Sequence, residues 1–515
     1  MDRRNFIKNS IGASIAGPLT LHNVSSELNR SFWTRELPSV GIESPHETKL
    51  VIKPLMTNMF HTAKWEGPCR FNVVTPEEEK KGAINYFEGF KKRIAKNEIG
   101  ADPDNAAMLE PELLLFVEDF KLKEEDLKKI EPDVTRADAM YVDPSGSSIA
   151  TFDLAKRFNK PVILSAGFSC RTVDISSYCR SQGLEVFIPN SVDELNEIIA
   201  ILRARKVLSH TRILYPTNWG WPSVASVSGI NDPYKLKDQL GVELVKISYD
   251  ELAKAVDMVT KNSDFTTKAT EMAGVFSDNA ERSFIDRKFV VKSMQFYLAV
   301  AELMKKYNCN AFTIECFEFC ASRLPEKWTI TPCSIHTMLK DLGIPSACEG
   351  DLGGLLSMHM LMALSKKSSH LGNMFYASNG VMEINHSAPG IRMNGYKKPD
   401  LKYQLGRFVE SGWGTKVMVD FMQNEEKNIT VARMNPQATG LLVLNGKLTG
   451  SKGTNEDLLG CSVSAFIVGR DSGTAEEFVK KQSDYGNHLV WVYGDYSKPL
   501  ERLGKLLGLD VQVIS

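Results

Sequence analysis

The 515-residue sequence has no excess of charge of either sign, which argues against binding to nucleic acid. It contains 62 Lys and Arg residues and 63 Asp and Glu residues, which gives a formal net charge of −1 at pH 7. Proteins that hold a phosphate backbone concentrate Lys and Arg on one face. The basic runs EEEKKG and KKRIAK instead have acids beside them at helical spacing, which is typical of solvated helix faces. We therefore expect no nucleic-acid partner.

The sequence also lacks a long hydrophobic run. Its most apolar stretch near the amino terminus, residues 11–21, is too short and too rich in Gly to cross a bilayer of about 30 Å. Arg3 and Arg4 precede this stretch in a pattern that resembles a twin-arginine export signal. We predict that residues 1–45 are an export signal and linker, that the protein is exported to the periplasm, and that it has no stable membrane anchor. An ordinary basic tail is the alternative.

The nine cysteines lack the dense and even spacing of a disulfide-rich domain. Cys316 and Cys320 form a C-x-x-x-C motif, and Cys333 and Cys348 follow, but this spacing matches no zinc motif. Their apolar neighbours predict buried thiols. Repeats of 20 to 50 residues and low-complexity tracts are also missing, which excludes solenoid architectures.

Hydrophobic periodicity predicts alternating strands and helices through most of the chain. Apolar runs such as KLVIKPLMT, AMYVD and PVILSAG alternate with amphipathic helical patterns, as in βα units around a parallel sheet. We expect a first α/β domain over residues 46–208 and a second over residues 209–370, which begins at RILYP. Residues 371–515 contain shorter, β-branched runs between Gly, Asn and Asp turns, and predict a β-rich domain with a final helix at KPLERLGKLLG.

Two acids follow strand-like runs of the second domain. Glu315 ends AFTIE and Asp351 ends SACEGD, and ligands bind at the carboxyl ends of parallel strands. Two carboxylates with one imidazole suit a divalent cation such as Mn²⁺ or Mg²⁺. Such a site would let a carboxylate remove a proton from a carbon beside a carbonyl while the cation holds the charge that develops on oxygen.

Neighbouring acids leave this assignment open. Asp351 precedes a helical pattern and could simply be its N-cap, which is worth about 1 kcal/mol. Glu349 would share a strand face with Asp351 and is an alternative ligand. In TIECFE, Glu318 is an alternative to Glu315. Residue types and spacing do not decide between them.

Three histidines are candidate ligands. His359 lies eight residues beyond Asp351, about 12 Å along a helix and among Met and Leu residues, so we predict a core position. His386 precedes a Ser-Ala-Pro-Gly turn, and His488 opens an apolar run after Gly-Asn. Either could bind a metal or could be an ordinary buried polar group.

Several of these segments resemble the L-fucose isomerase and L-arabinose isomerase-like family over about residues 50–515. They are IECFEFC, GIPSACEGDLGGLLSMHML, NHSAPG and NHLVWVYGDYSKPLERLGKLLGLDV. The resemblance implies two flavodoxin-like α/β domains with parallel sheets, followed by a β-rich carboxy-terminal domain. It also implies a sugar isomerase that depends on a divalent cation, usually Mn²⁺, with Mg²⁺ or Co²⁺ as alternatives, and that forms a homotrimer or homohexamer.

The same motifs imply roles for individual residues. Glu315, Asp351 and His488 correspond to the metal ligands of the family. Glu315 and Asp351 would also act as acid and base and move a proton between C1 and C2 of an open-chain sugar. Glu349 becomes a neighbour of the ligands rather than a ligand.

Candidate substrate contacts are His386, in a segment near the sugar, and Asn487, beside His488 in the Asn-His element. Trp219 and Trp221 in PTNWGWPS could stack on a sugar, although buried aromatic packing is the alternative.

The sequence therefore predicts an aldose–ketose isomerase that acts on a small sugar through an enediolate. Two alternatives stay open. An exported sugar-binding protein could use the same scaffold without turnover, and a sugar epimerase or lyase could use the same enediolate. A requirement for a metal would distinguish an isomerase from the binding protein. Product analysis would distinguish an isomerase from the epimerase or lyase.

Overall fold

The computed structural model describes residues 41–515 except residues 43, 65, 67–73, 146, 166, 221–228 and 378. Arg3, Arg4 and Trp221 lie outside the described residues, as does most of the predicted export segment. Among the helices that the structure describes, we find none with the length and hydropathy that crossing a bilayer requires.

The first α/β region is a six-stranded parallel sheet covered on both faces by helices. The strand order is β2-β1-β4-β5-β6, and β3 also pairs with β1. Alternate residues of a strand enter different cores, since Tyr141 packs with one helix layer and Met140 and Val142 with the other. The strands are β1 (Leu50–Met59), β2 (Ala106–Met108), β3 (Glu112–Phe116), β4 (Ala139–Asp143), β5 (Val162–Leu164) and β6 (Val186–Phe187). The helices are α1 (Pro76–Ala95), α2 (Glu124–Arg136), α3 (Ser148–Phe158), α4 (Cys170–Ser181) and α5 (Val192–Ser209).

The second region contains a four-stranded parallel sheet in the order β11-β10-β7-β8, and β9 pairs elsewhere. The register places Ile314 opposite Cys348, so neighbouring strands end side by side. The strands are β7 (Arg212–Pro216), β8 (Glu243–Ile247), β9 (Arg282–Ser283), β10 (Ala311–Ile314) and β11 (Ser346–Cys348). The helices are α6 (Leu236–Leu240), α7 (Tyr249–Lys261), α8 (Ser263–Asp278), α9 (Arg287–Lys306), α10 (Cys316–Ala321), α11 (Leu324–Trp328), α12 (Cys333–Asp341) and α13 (Leu352–Ser365).

The carboxy-terminal region is built around a closed antiparallel ring of six strands in the order β16-β19-β12-β13-β18-β17, in which β17 also pairs with β16. β20 adds to β17 in parallel, and β14, β15 and β9 form a separate small sheet. The strands are β12 (His370–Tyr376), β13 (Val381–His386), β14 (Tyr403–Arg407), β15 (Thr415–Val419), β16 (Asn428–Met434), β17 (Gly440–Lys452), β18 (Val463–Val468), β19 (His488–Tyr493) and β20 (Asp510–Ile514). The helices are α14 (Ser472–Gln482) and α15 (Ser497–Leu506).

The predicted fold class, two parallel-sheet α/β regions followed by a β-rich region with a final helix, is confirmed. The domain limits at residues 45, 208 and 370 stay predictions. The expectation of buried thiols holds for Cys333 and Cys348. Cys316 is only half-buried, and Cys320 is exposed because it lies on the outer face of the short helix α10.

Helix α13 connects the second sheet to the barrel. Every residue of α13 is buried, and the helix contacts β11 on one side and β16 and β19 on the other. A helix that is apolar on all faces needs such a fully enclosed position. Its first turn therefore lies where the second sheet and the barrel meet.

Candidate active site

Three polar side chains reach this junction from separate elements. Glu349 lies in the turn between β11 and α13, His386 ends β13, and His488 begins β19. The two histidines share one edge of the barrel, because Asn373 of β12 pairs with Asn385 on one side and with His488 on the other. Glu349 has a left-handed φ of 61°, which is unusual for a residue with a Cβ and turns the chain sharply after the strand.

These three residues form a compact set of possible metal ligands. One ligand atom of Glu349, one of His386 and one of His488 all lie within 4.8 Å of one another. The Glu349 carboxylate contacts both rings, with Oε1 3.3 Å from His386 Nε2 and Oε2 3.2 Å from His488 Nε2. Both histidines are only 2% exposed. Two imidazoles and a carboxylate suit a divalent transition-metal ion, and His488 Nε2 has no aligned hydrogen bond among the described residues. The residues present therefore fit a divalent cation.

Asp351 lies beside this set and contacts His488. Its Oδ1 accepts a hydrogen bond of 2.9 Å from the Gly354 amide, so the alternative of a helix cap is confirmed. Its Oδ2 lies 2.9 Å from His488 Nδ1 and accepts a hydrogen bond from Arg433. A carboxylate on one imidazole nitrogen sets the tautomer and leaves the other nitrogen free to bind a metal. Here that second nitrogen faces Glu349.

Charge and hydrogen bonding keep both carboxylates ionised. Burial alone would raise the pKa of Asp351, but the charge of Arg433 and the hydrogen bond from His488 hold it well below its usual value. Burial is also the largest single influence on Glu349 and would raise its pKa, but the contacts and charges of His386 and His488 together hold this pKa well below its usual value. The same contacts raise the pKa of His488 against the effect of burial. A cation that binds here therefore competes with protons on the imidazoles.

The glycines of the D-L-G-G element let Arg433 approach the start of α13. Arg433 is fully buried, and its Nε donates a hydrogen bond of 2.9 Å to the Tyr485 carbonyl. A Cβ on Gly354 would lie 2.8 Å from Leu371 Cδ1 and 3.0 Å from Asp351 Oδ2. A larger residue at position 354 would therefore displace the groups that hold Asp351.

The two glutamates around α10 have different roles. Glu315 follows β10, is 1% exposed, and accepts a hydrogen bond from the Glu318 amide as the cap of α10. Because Ile314 pairs with Cys348, Glu315 and Glu349 are the next residues on adjacent strands. The Glu318 carboxylate instead holds the loop that follows β7, where it accepts hydrogen bonds of 2.6 Å from Thr217 Oγ1 and 2.7 Å from the Trp219 amide. Glu318 is thus committed to the loop, and Glu315 stays the predicted acid at this strand end.

The other predicted residues lie outside the three-residue set. Trp219 is 57% exposed, so the alternative of buried packing is wrong for this residue. The Asn487 amide contacts β12, since Nδ2 donates a hydrogen bond of 2.6 Å to Asn373 Oδ1. His359 is buried, with Nε2 2.8 Å from Thr211 Oγ1, as expected of a core residue. The substrate roles of Trp219 and Asn487 stay predictions.

Of the three predicted metal ligands, the structure places His488 in the compact set, together with His386, a predicted substrate contact, and Glu349, the alternative ligand. Direct ligation by Glu315 and Asp351 stays a prediction.

Sequence reasoning missed two residues of the site, Arg433 and Cys461. Cys461 is an exposed residue whose sulfur lies 3.8 Å from His386 Nδ1. Desolvation would raise the pKa of this thiol, but the charge of His386 and the hydrogen bonds to His386 and Ser387 lower it to about 7. Cys461 reaches His386 because β18 begins just after it and pairs Val463 with His386. Local sequence carries no signal for either contact.

No protein family model matches the chain. The chain is similar to curated sulfoquinovose isomerases of Priestia aryabhattai and Priestia megaterium (strain ATCC 12872 / QMB1551), with 23% identity to each over 322 residues, which is 61% of this chain and 67% of the relative. It is also similar to a sulfoquinovose isomerase of Clostridium sp. (strain MSTE9), with 25% identity over 332 residues, which is 63% of this chain and 70% of the relative. These relatives support the predicted enzyme class, an aldose–ketose isomerase.

Proposed function

We propose that this chain is a metal-dependent isomerase that converts an open-chain aldose to its ketose through an enediolate. The observation that carries the proposal is the convergence of Glu349, His386 and His488 at a strand end that also bears a second buried acid, Glu315. The similarity to sugar isomerases supports the reaction type. We assign the cation to Glu349, His386 and His488, and we assign to Asp351 the task of orienting His488.

A divalent cation held by these residues, Mn²⁺ by the family resemblance, would polarise the oxygens on C1 and C2 and make the neighbouring carbon-bound hydrogen more acidic. Mg²⁺ and Co²⁺ are the alternatives. The remaining requirement is a group that moves the proton.

Glu315 is the proposed proton carrier between C1 and C2. Its strand neighbour is Glu349, so its carboxylate belongs to the same sheet edge as the ligand set. A carboxylate with an ordinary pKa near 4 is a weak base towards carbon, so its position relative to the substrate must supply much of the rate. Asp351 is less suited to this role, since Arg433, His488 and the Gly354 amide already occupy its oxygens.

The first substrate to test is sulfoquinovose, because the curated relatives carry that sugar in their names. Trp219 is an exposed aromatic on the loop that Glu318 holds, and we propose that it stacks on the carbon skeleton of the sugar. His386 and Asn487 are the other proposed residues near the substrate.

We also propose export by the twin-arginine route, supported by Arg3 and Arg4 in the sequence, and a homotrimer or homohexamer, supported by the family resemblance. Fractionation of the native host with and without the first 45 residues tests the export. Sedimentation of the purified protein tests the assembly.

Isotope exchange tests the reaction. The purified protein is stripped with a chelator, reloaded with Mn²⁺, and incubated with sulfoquinovose, L-fucose or L-arabinose in D₂O. We expect a ketose that carries solvent deuterium at the carbon that gains hydrogen, and no product without the cation. Deuterium in the aldose without any ketose would instead favour an epimerase, and a lack of both on every sugar would favour a binding protein.

A further inference from the structure

A cavity with several charged side chains on its walls lies at the opposite end of α13 from the candidate active site. Its volume is about 520 Å³, and its walls come from the segment before β1, the end of α13, the loop after β13 and the segment after β19. Five lysines line it, against three carboxylates, Glu47, Asp102 and Asp104. The lysines are Lys49, Lys366, Lys367, Lys397 and Lys398.

The cavity is separate from the candidate active site. Asp351 caps the first turn of α13, whereas Ser365 and Lys366 end this helix of 14 residues, which corresponds to about 21 Å along the axis. Strand β19 also extends from one site to the other, since His488 begins it and Tyr496 lies beyond its other end. The two sites thus share two rigid elements but no residues.

The positive charge in this cavity is only partly balanced. Lys397 Nζ pairs with Asp104 Oδ2 at 2.5 Å, which engages one of the three carboxylates. Lys366 Nζ donates to two carbonyls, at 2.7 Å to His46 and 3.0 Å to Asp104, and Lys367 Nζ donates to the Tyr493 carbonyl at 2.7 Å. Within the described part of the chain, neither Lys366 nor Lys367 forms an ion pair. An ammonium group has three protons to donate, so both lysines keep donors for a further acceptor.

A buried hydroxyl on the wall points to the same kind of ligand. Ser365 is 9% exposed, and its Oγ has no hydrogen-bond partner among the described residues. A buried polar group without a partner destabilises the protein, and an acceptor in the cavity would remove this penalty. Burial, assisted by the charges of Arg203 at one lysine and of Lys398 at the other, lowers the pKa of Lys366 and of Lys367 to about 8. Negative charge in the cavity would offset both effects.

We propose that this cavity is a binding site for a small molecule with a tetrahedral oxyanion group, a phosphate or a sulfonate. The unpaired ammonium groups would hold the oxyanion, and Ser365 Oγ would donate the hydrogen bond that it lacks. Tyr396 and Tyr496 lie on the same walls, where Tyr396 stacks on His46 and the Tyr496 ring lies beneath Lys367 Nζ, so both rings fix the shape of the cavity. The site does not depend on the proposed isomerase reaction.

Calorimetry on the full-length protein tests the site with three probes. Inorganic phosphate, sulfate and methanesulfonate are titrated separately at constant ionic strength in chloride, with a chelator present so that no metal ion binds the probe. We expect saturable binding of at least one probe and a rise in Tm that follows the occupancy. The preferred probe identifies the oxyanion, because phosphate and sulfate carry more charge than methanesulfonate.

Matched charge variants separate this site from general attraction of anions. Lys49 and Lys398 are exposed and their side chains form no ion pair in the described part of the chain, so K49Q/K398Q should fold normally and weaken binding by about tenfold or more. The control K128Q/K292Q removes the same charge from exposed helix positions and should leave Kd unchanged. S365A should also weaken binding, without the loss of a charge.

Three results would overturn the proposal. One is that none of the probes binds. Another is that K49Q/K398Q binds as tightly as the wild type, or that K128Q/K292Q weakens binding equally. The third is that E349Q abolishes the binding, since this would place the oxyanion at the candidate metal centre instead.

Discussion

The first and second parallel sheets both carry acids at their carboxyl ends, yet they differ in what faces those acids. Asp143 ends β4 of the first sheet, where Ser145 Oγ donates a hydrogen bond of 2.6 Å and Arg93 lies 4.0 Å away. Glu349 follows β11 of the second sheet, where His386 and His488 approach it from the barrel. Among the described residues, a set of three possible metal ligands occurs at the second sheet alone. The end of a parallel strand can thus supply an acid, whereas the imidazoles of this site come from the neighbouring barrel.

The barrel supplies two histidines because its strand order brings distant segments together. His386 and His488 are separated by about a hundred residues of sequence, but β12 lies between their strands and aligns both with one edge. Helix α13 then holds that edge against β11, since its buried surface contacts β11, β16 and β19. The site therefore depends on the packing of α13 as much as on the ligand residues.

The largest expected effect is the loss of activity when Glu349, the acid that faces the barrel, is changed. Glu349→Gln should lower kcat/KM by about 10³-fold or more, because an amide is a poor ligand for a divalent cation and about 4 kcal/mol of transition-state stabilisation would be lost. Asp143→Asn, the same carboxylate-to-amide change at the first sheet, should leave kcat/KM within about twofold, because the contacts of this buried carboxylate are with Ser145 and Arg93 of the first α/β region. Steady-state kinetics on both variants with saturating Mn²⁺ measure this contrast, and equal losses would contradict it.

Asp351→Asn should have the next largest effect. Asn keeps the helix cap but accepts more weakly from His488 and leaves Arg433 without its counter-charge. Loss of such a partner weakens metal affinity by about 10–100-fold. Calorimetric titration with Mn²⁺ measures the change.

The control is Asp471→Asn, which alters the exposed cap of α14 in the same way and should leave the affinity for Mn²⁺ unchanged. An undiminished affinity in the Asp351 variant would mean that His488 needs no carboxylate to orient it.

Two glycine-to-alanine changes should have effects of opposite sign on stability. A Cβ on Gly354 would meet Leu371 and Asp351 at 3.0 Å or less, and such overpacking costs about 1–3 kcal/mol. A Cβ on Gly82 in α1 meets nothing within 4 Å, so Ala there should stabilise the protein by about 0.5–1 kcal/mol. Urea unfolding curves give both values, and a neutral Gly354 variant would show that the groups around Asp351 can move.

The smallest expected effect is a change in KM when an exposed aromatic residue of the second α/β region is removed, compared with one of the first. Trp219→Ala should raise KM for the sugar by about 2–10-fold with little change in kcat, as expected for a lost aromatic contact. Phe168 is 62% exposed in the segment after β5, and Phe168→Ala should leave KM unchanged. A Trp219 variant with unaltered KM would remove this residue from the proposed substrate site.

The sequence predicted the frame of the molecule better than its contacts. Strands such as Ala139–Asp143 and Arg212–Pro216 are short, continuous apolar runs, and these are the strongest local signal of a buried parallel strand. Helix α14 escaped prediction because its segment is mostly polar, and strand β20 because it is a short run directly after the glycine turn that ends the final helix. In both cases tertiary packing, rather than local pattern, decides the structure.

Residue type alone did not show which acid of the site has which role. The sequence pointed to the correct loop after β11, but Glu349 and Asp351 differ in role because one side chain meets His386 and His488 and the other meets Arg433. Arg433 lies on β16, far along the chain from Asp351, and nothing near either residue indicates their contact. Only the closed barrel brings the two together.

Anomalous diffraction from crystals soaked with Mn²⁺ tests the central claim most directly. The account predicts one strong manganese peak within about 2.0–2.3 Å of a Glu349 oxygen, His386 Nε2 and His488 Nε2. A peak on the carboxylates of Glu315 and Asp351 without His386, or no peak at this strand end, would contradict it.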